Sequence, residues 1–407
     1  MKTFEEMLSY LKENNSEHLL NFYDELLSEE KENLFNQIER IDFSYMNELY
    51  SNQLGFDMAD KEITNVPAID KETTDIAEFE KIGIDAIKDG KLAICSMAGG
   101  QGTRLGFNGP KGTFMLELDK PTSIFETIVI KLKDAYEKYG TLIYWYVMTS
   151  EQNNDEIVNF FEKNNYFNYD KAHIIFFKQA ELPLLDRDGK IVLKDKSNVF
   201  MAPDGNGGIF RALGSEKILE HMKENKIKYL AIGNVDNILI HMIDPIAVGI
   251  MEKNNAMLLP KSFMKPSPEG KWGVFCKVNG KPKVIEYTET PRELLEARNE
   301  KGELLYGDAH FGCNFLSINL LDKIVTEKLP MHTAIKKNKY INEEGETLEA
   351  DTYKFEAFIF DGFSMADDML VYRVKKDDEF APIKNKKGDE SPESAIKLYK
   401  EFYNRNK

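Results

Sequence analysis

Cysteine is scarce in this sequence. Cys95, Cys276 and Cys313 are its only three, far apart and in no CxxC or metal-ligand spacing. Such a set excludes a disulfide scaffold and suits small buried side chains in a reducing, cytoplasmic setting. The six histidines include no HxxxH pair, so a zinc enzyme has no support. No apolar run approaches the ~20 residues that a membrane helix needs. The opening MKTFEEMLSYLKENN mixes charged and apolar residues and lacks the apolar core of a secretory signal. Positive charge is also short. The 53 basic residues against 69 acidic ones leave a net charge of −16, the wrong sign for nucleic-acid binding. An anionic ligand would need cations gathered locally, against this global field.

What is present reads as a soluble α/β protein of 407 residues, long enough for more than one lobe. Residues 1–90 carry three apolar stripes at helical spacing: Phe4, Met7, Leu8 and Leu11; Leu19, Leu20, Tyr23, Leu26 and Leu27; Leu34, Phe35 and Ile38. They predict a helical N-terminal lobe. From residue 91 strands alternate with helices. KLAICSMA, LIYWYVMTS, AHIIFFKQ and KYLAIGNVDN read as strands. Ser123 with Glu126 opens a helix to Lys138, NNDEIVNFFEKN and IFRALGSEKILEHMKENK read as helices, and Asp244 with Pro245 starts another. This alternation predicts a largely parallel sheet covered on both faces. Ligands of such sheets sit beyond the carboxyl ends of the strands, where MAGGQGTRLG, VMTS, KQAE and NVDN lie. After residue 256 the pattern turns β-rich and reads as a mixed or antiparallel insertion beside the sheet. The expected division is 1–90 helical lobe, 91–350 core, and 351–407 a short C-terminal segment.

The loop MAGGQGTRLGFNGPKG resembles two phosphate-binding motifs and satisfies neither. Gly106 is followed by Phe107, which breaks the Walker pattern. Leu105 stands where the dinucleotide fingerprint needs its third glycine. The residues still carry a chemistry. Clustered glycines let backbone N–H groups face phosphate oxygens. Arg104 offers a planar fork of donors, and Lys111, after Pro110, a point charge.

With those residues the chain resembles the eukaryotic-type UDP-sugar pyrophosphorylases, nucleotidyltransferases with a GT-A-like, Rossmann-type core. FFKQAELPLLDRDGKIVL and NVFMAPDGNGGIFRAL are similar to the uridine- and sugar-contacting segments of the N-acetylhexosamine branch. VDNILIHMIDP is similar to the metal-site strand, and DEFAPIKN to the C-terminal lysine motif. The resemblance runs from about residue 90 to about residue 390. It implies that Ala98, Gly99, Gly100 and Gly102 bind the nucleotide, with Gln179 and Gly205 on the uracil edge. It implies Arg104, Lys111, Lys354 and Lys384 as catalytic cations on the phosphates, and Asp236 as ligand of Mg²⁺ and nucleotide. Asn206, Gly273 and Glu286 match sugar-contacting positions. His310 falls where that branch has an asparagine, and CNFLSINL leans toward the UDP-glucose branch, with Asn314 as the polar contact.

The implied reaction joins UTP to a sugar 1-phosphate and releases pyrophosphate and a UDP-sugar. N-acetylglucosamine 1-phosphate is the favoured substrate, with glucose 1-phosphate or a galactose-type sugar as competitors. A non-catalytic UDP-sugar sensor is a second reading, disfavoured by intact Arg104, Lys111 and Asp236. A dinucleotide oxidoreductase ranks third. No membrane or nucleic-acid partner is expected, and the protein is expected to be a monomer or small homo-oligomer.

Overall fold

The computed structural model describes residues 2–52 and 61–405. The chain divides into two compact units, each assembled from separated stretches. The first takes Met1–Met58, Ala180–Gly208 and Leu329–Ile359; the second takes Ala59–Gln179, Ile209–Lys328 and Phe360–Lys407. This differs from three consecutive segments cut at residues 90 and 350. Strand pairing between distant stretches causes the difference, and no local signal marks it.

In the first unit, helices Phe4–Glu13, Ser28–Glu39 and Phe43–Ser51 begin at Thr3, Leu27 and Asp42. Thr3 and Glu6 form a reciprocal capping box. Met7, Leu11, Leu34, Phe35 and Ile38 bury against Leu182, Leu193, Val199 and Phe355. The stripe around residues 19–27 folds as two short 3₁₀ turns, Glu17–Leu20 and Tyr23–Glu25, not as a helix. Leu27 leaves the stripe and is 71% exposed, because its N–H donates to the Glu30 carboxylate at 2.8 Å and starts the next helix. Behind the helices lies a four-stranded sheet whose long hairpin pairs His332–Ile341 with Thr347–Glu356. That hairpin has little apolar signature, since its Ile335–Lys339 stretch faces solvent.

The second unit is built on an 11-stranded sheet. In chain order its strands are β1 (Ile63–Thr64), β2 (Ala68–Asp70), β3 (Leu92–Met97), β4 (Tyr144–Thr149), β5 (Ile174–Lys178), β6 (Tyr229–Asn234), β7 (Leu258–Met264), β8 (Val274–Val278), β9 (Lys281–Ile285), β10 (Asp308–Ser317) and β11 (Val371–Arg373). The spatial order is β2-β11-β7-β10-β6-β3-β4-β5, with β8 pairing β1, β9 and β10. β6, β3, β4 and β5 run parallel, as the strand–helix alternation requires. Helix Ile124–Tyr139 starts where Ser123 accepts the N–H of Glu126, and helix Pro245–Asn254 where the Asp244 carboxylate accepts two N–H groups. The expected single helix from residue 209 is two, Gly208–Ser215 and Ile218–Glu224, separated at Lys217, whose φ is +56°.

The β-rich stretch after residue 256 is part of this sheet, not an insertion beside it. β10 is antiparallel to both β6 and β7 and lies between them. Nine of its ten residues are buried, His310 being the exception, as befits a strand covered on both faces.

Candidate active site

The glycine loop leaves β3 and closes on itself. Lys111 N–H donates to the Gly100 carbonyl at 3.1 Å, Gly102 N–H to Gly109 at 2.9 Å, and Phe107 N–H to Gly102 at 3.1 Å. The N–H groups of Gly99, Gly100 and Arg104 are outside this lacing among the described residues. Gly100 faces open space, since a Cβ there would meet nothing within 4 Å. Gly99 is the opposite case: a Cβ would lie 2.9 Å from Oε1 of Gln179. The loop and Gln179 therefore touch through a position that only glycine leaves clear. Ala98 is buried and donates its N–H to Met148 at 2.7 Å. A Cβ on Gly102 would strike the Phe107 ring at 2.7 Å. Arg104 is exposed and has no hydrogen bond or ion pair among the described residues.

Asp236 follows β6, the parallel neighbour of β3, so its loop and the glycine loop leave adjacent carboxyl ends. The ammonium of Lys111 lies 3.0 Å from Oδ2 of Asp236, with both side chains mostly buried. The Ile383 N–H donates to the Asp236 carbonyl at 2.9 Å, which sets the next residue, Lys384, beside the same loop. Lys384 pairs with Glu390 at 3.3 Å. No cluster of three or more His, Cys, Asp or Glu side chains suited to a metal occurs among the described residues. A single carboxylate beside a glycine-rich loop fits Mg²⁺, which keeps water and takes few protein ligands.

Gly273, Glu286 and His310 come together. A Cβ on Gly273 would sit 3.2 Å from the Glu286 carboxylate, and the His310 N–H donates to the Gly273 carbonyl at 2.9 Å. Burial, with Glu289 nearby, holds the Glu286 carboxyl above the usual carboxylate range. Burial pushes His310 down to about 4, so its imidazole is neutral near pH 7. Its ring meets Phe275, Phe360 and Phe363 edge-on. Pairing between β7 and β10 slips between Pro260 and Ser262, and Gly312 there has φ +85°. Such a bulge re-aims the neighbouring side chains. Asn314 is 0% exposed. Its amide and the His310 Nε2 make no hydrogen bond of full geometry among the described residues, though Asn314 is near enough to the imidazole to offset part of the effect of burial on it.

In the first unit, residues 204–207 are laced to residues 357–359. Ala357 N–H donates to Asp204 at 2.8 Å, Gly207 N–H to Ala357 at 2.9 Å, and Ile359 N–H to Oδ1 of Asn206 at 2.9 Å. Gly205 has φ +86°, and a Cβ would fall 2.3 Å from the Ala357 carbonyl. Asn206 is exposed but uses its amide oxygen to hold backbone. Lys354 donates to Glu356 at 2.6 Å.

Sequence reasoning missed the residues that brace these loops. Asn153 is fully buried, donating to the Ala98 carbonyl at 3.1 Å and accepting from the Ser150 N–H. Asn237 and Lys261 act likewise around Asp236 and are treated below. Each reaches a partner far away in sequence, so no local spacing betrays it.

The family model described as UTP--glucose-1-phosphate uridylyltransferase matches residues 42–396. The human UDP-N-acetylhexosamine pyrophosphorylase-like protein 1 is 36% identical over 304 residues, 72% of this chain and 60% of that relative. The chain thus spans less than two thirds of that relative's length. The Saccharomyces cerevisiae UDP-N-acetylglucosamine pyrophosphorylase is 33% identical over 75% of this chain and 67% of its own. The crystal structure of the Trypanosoma brucei uridine diphosphate N-acetylglucosamine pyrophosphorylase, in complex with inhibitor, superposes with a TM-score of 0.84. It is 29% identical, and the match covers 98% of this chain and 84% of that one.

Proposed function

We propose a uridylyl transfer for this chain, which belongs to the UTP–glucose-1-phosphate uridylyltransferase family. The substrates are UTP and a sugar 1-phosphate; the products are a UDP-sugar and pyrophosphate. The observation that carries the reading is Lys111 against Asp236 at 3.0 Å. A phosphate-seeking ammonium and a metal-seeking carboxylate meet where two parallel strands end.

A sugar phosphate monoester has a second pKa near ~6 and is mostly dianionic at pH 7, so it needs no general base. Its oxygen forms the new bond to the α-phosphorus of UTP, and the bond from that phosphorus to the β-phosphate bridge breaks. The chain's part is to hold two mutually repelling anions in line and to offset charge at the reacting phosphorus and leaving group. The backbone from Ala98 to Gly102 cradles the triphosphate. Arg104, with no side-chain partner among the described residues, closes its fork on phosphate oxygens, and Lys111 and Lys384 exchange carboxylate partners for phosphate. A divalent cation, proposed as Mg²⁺, held by Asp236 and the phosphates, supplies charge neutralisation when bound. Gln179, against Gly99 of the same unit, reads the uracil edge.

Gly273, Glu286, His310 and Asn314, all in the second unit, meet the sugar. A neutral imidazole, a carboxyl and a spare amide can donate and accept, as ring hydroxyls and an acetamido group require. N-acetylglucosamine 1-phosphate is therefore the proposed sugar. No helix among the described residues is long and apolar enough to cross a membrane, and the three cysteines are free and buried, which supports a reducing compartment such as the cytoplasm. Pyrophosphate release with UTP, Mg²⁺ and a panel of sugar 1-phosphates tests the proposal. Release with the N-acetylglucosamine phosphate is expected, and silence with every sugar would sink the enzyme reading.

A further inference from the structure

Behind Asp236 lies a buried polar bracket that the reaction does not itself use. The Asn237 side chain is 2% exposed. Its amide nitrogen donates to the Glu379 carbonyl at 2.7 Å, and its oxygen accepts the Ala381 N–H at 2.8 Å. Ile238 N–H donates to Ala381 at 3.3 Å and Ile383 N–H to Asp236 at 2.9 Å. Residues 379–383 are thus laid rung by rung along residues 236–238, and Lys384 is the next residue out.

Two lysine side chains hold the other side of that loop, a half-buried Lys131, pushed down to about 7 by desolvation, and a fully buried Lys261. Lys131 donates to the carbonyls of Ile238 and Ile240 at 2.8 and 2.7 Å. Lys261, 0% exposed, donates to the His241 carbonyl at 2.9 Å and pairs with Asp244 at 2.7 Å and Glu379 at 2.6 Å. The second Glu379 oxygen accepts the His241 N–H at 3.2 Å. Such a cluster contributes little net stability over apolar packing, but each bond has a fixed direction. It suits holding two segments in one register better than it suits binding them tightly.

We propose that Asn237, backed by the Lys261–Glu379 pair, is a positioning residue that fixes the spacing between the cation-binding Asp236 and the phosphate-binding Lys384. The inference rests on the proposed transferase reaction. Asn237 and Lys261 are both buried and bonded to protein groups, so each acts through the segments it holds. Both segments belong to one unit, so the bracket is internal to it.

The test is a double-mutant cycle on the full chain, with Asn237→Ala, Lys384→Ala and the pair. Thermal unfolding and Mn²⁺ binding in the presence of UTP, read by electron paramagnetic resonance without sugar phosphate, accompany the turnover numbers. Asn237→Ala is expected to lower kcat about tenfold or more and to weaken Mn²⁺ binding, with the KM for sugar phosphate little changed. In the Lys384→Ala background most of its effect on kcat should vanish. Asn237→Ser, which can keep one of the two bonds, should fall between and serves if Asn237→Ala does not fold. Full additivity with Lys384→Ala, or a kcat and Mn²⁺ affinity that stay normal while only the melting point falls, overturns the bracket. A wild-type chain without turnover on any sugar would instead sink the transferase reading, and the Mn²⁺ comparison would still judge the bracket.

Discussion

Lys111 and Asp236 are 125 residues apart in sequence and 3.0 Å apart in space. In the proposed reaction a metal–triphosphate pair offers both groups new partners, a cation for the carboxylate and phosphate oxygens for the ammonium.

Replacing Lys111 with alanine is expected to lower turnover by about 10²–10³-fold, as does removal of one preorganised donor from a developing charge. Among the described residues Lys111 carries a single ion pair, so the fold should stay intact. Pyrophosphate release alongside a melting curve checks both halves. A variant within a few-fold of the parent rate would remove Lys111 from the chemistry.

Gly99→Ala places a Cβ 2.9 Å from Oε1 of Gln179 and 3.5 Å from Cβ of Ser150. The flexible glutamine gives way, so stability should change by less than about 0.5–1 kcal/mol. The displaced amide should raise the KM for UTP about tenfold, a loss of about 1.4 kcal/mol, while the KM for sugar phosphate holds. Equal effects on both substrates would contradict the uracil role of Gln179.

His310 titrates near 4 in the fold and near ~6.5 when unfolded. The unfolded chain therefore takes up the proton first as pH falls. The stability this residue contributes is complete above pH ~6.5 and drains away toward pH ~4. Between pH 7 and pH 5 the loss from this one group is about 2 kcal/mol. Denaturant unfolding at both values, compared with His310→Asn, isolates it: the variant should lose that much less. Parallel pH profiles would mean that the imidazole is not held neutral by burial.

Lys261→Met leaves Asp244 and Glu379 buried without their cation, and should cost about 3–5 kcal/mol. Burial already holds the Glu379 carboxyl above the usual range, so adding Glu379→Gln to Lys261→Met should recover part of the loss. Equilibrium unfolding of the single and double variants measures it. A single-variant cost below about 1 kcal/mol would mean that water reaches the cluster.

The sequence by itself determined the parallel half of the sheet, the helix starts at Ser123 and Asp244, and the loop that holds Arg104 and Lys111. These are local: a buried strand, a capping side chain or a glycine cluster each declares itself within a few residues. It also pointed to Gly273, Glu286 and His310, though not to the geometry that joins them. Only the tertiary structure decided that β10 lies inside the sheet, because a strand covered on both faces carries no alternation to show its neighbours. Only it revealed that residues 180–208 and 329–359 fold with the N-terminal helices, since strand pairing leaves no mark at either partner alone. The bracing of Asp236 by Asn237, Lys131 and Lys261 was hidden for the same reason. A buried ammonium reads in sequence as one more of 53 basic residues, until the fold brings carbonyls and carboxylates around it.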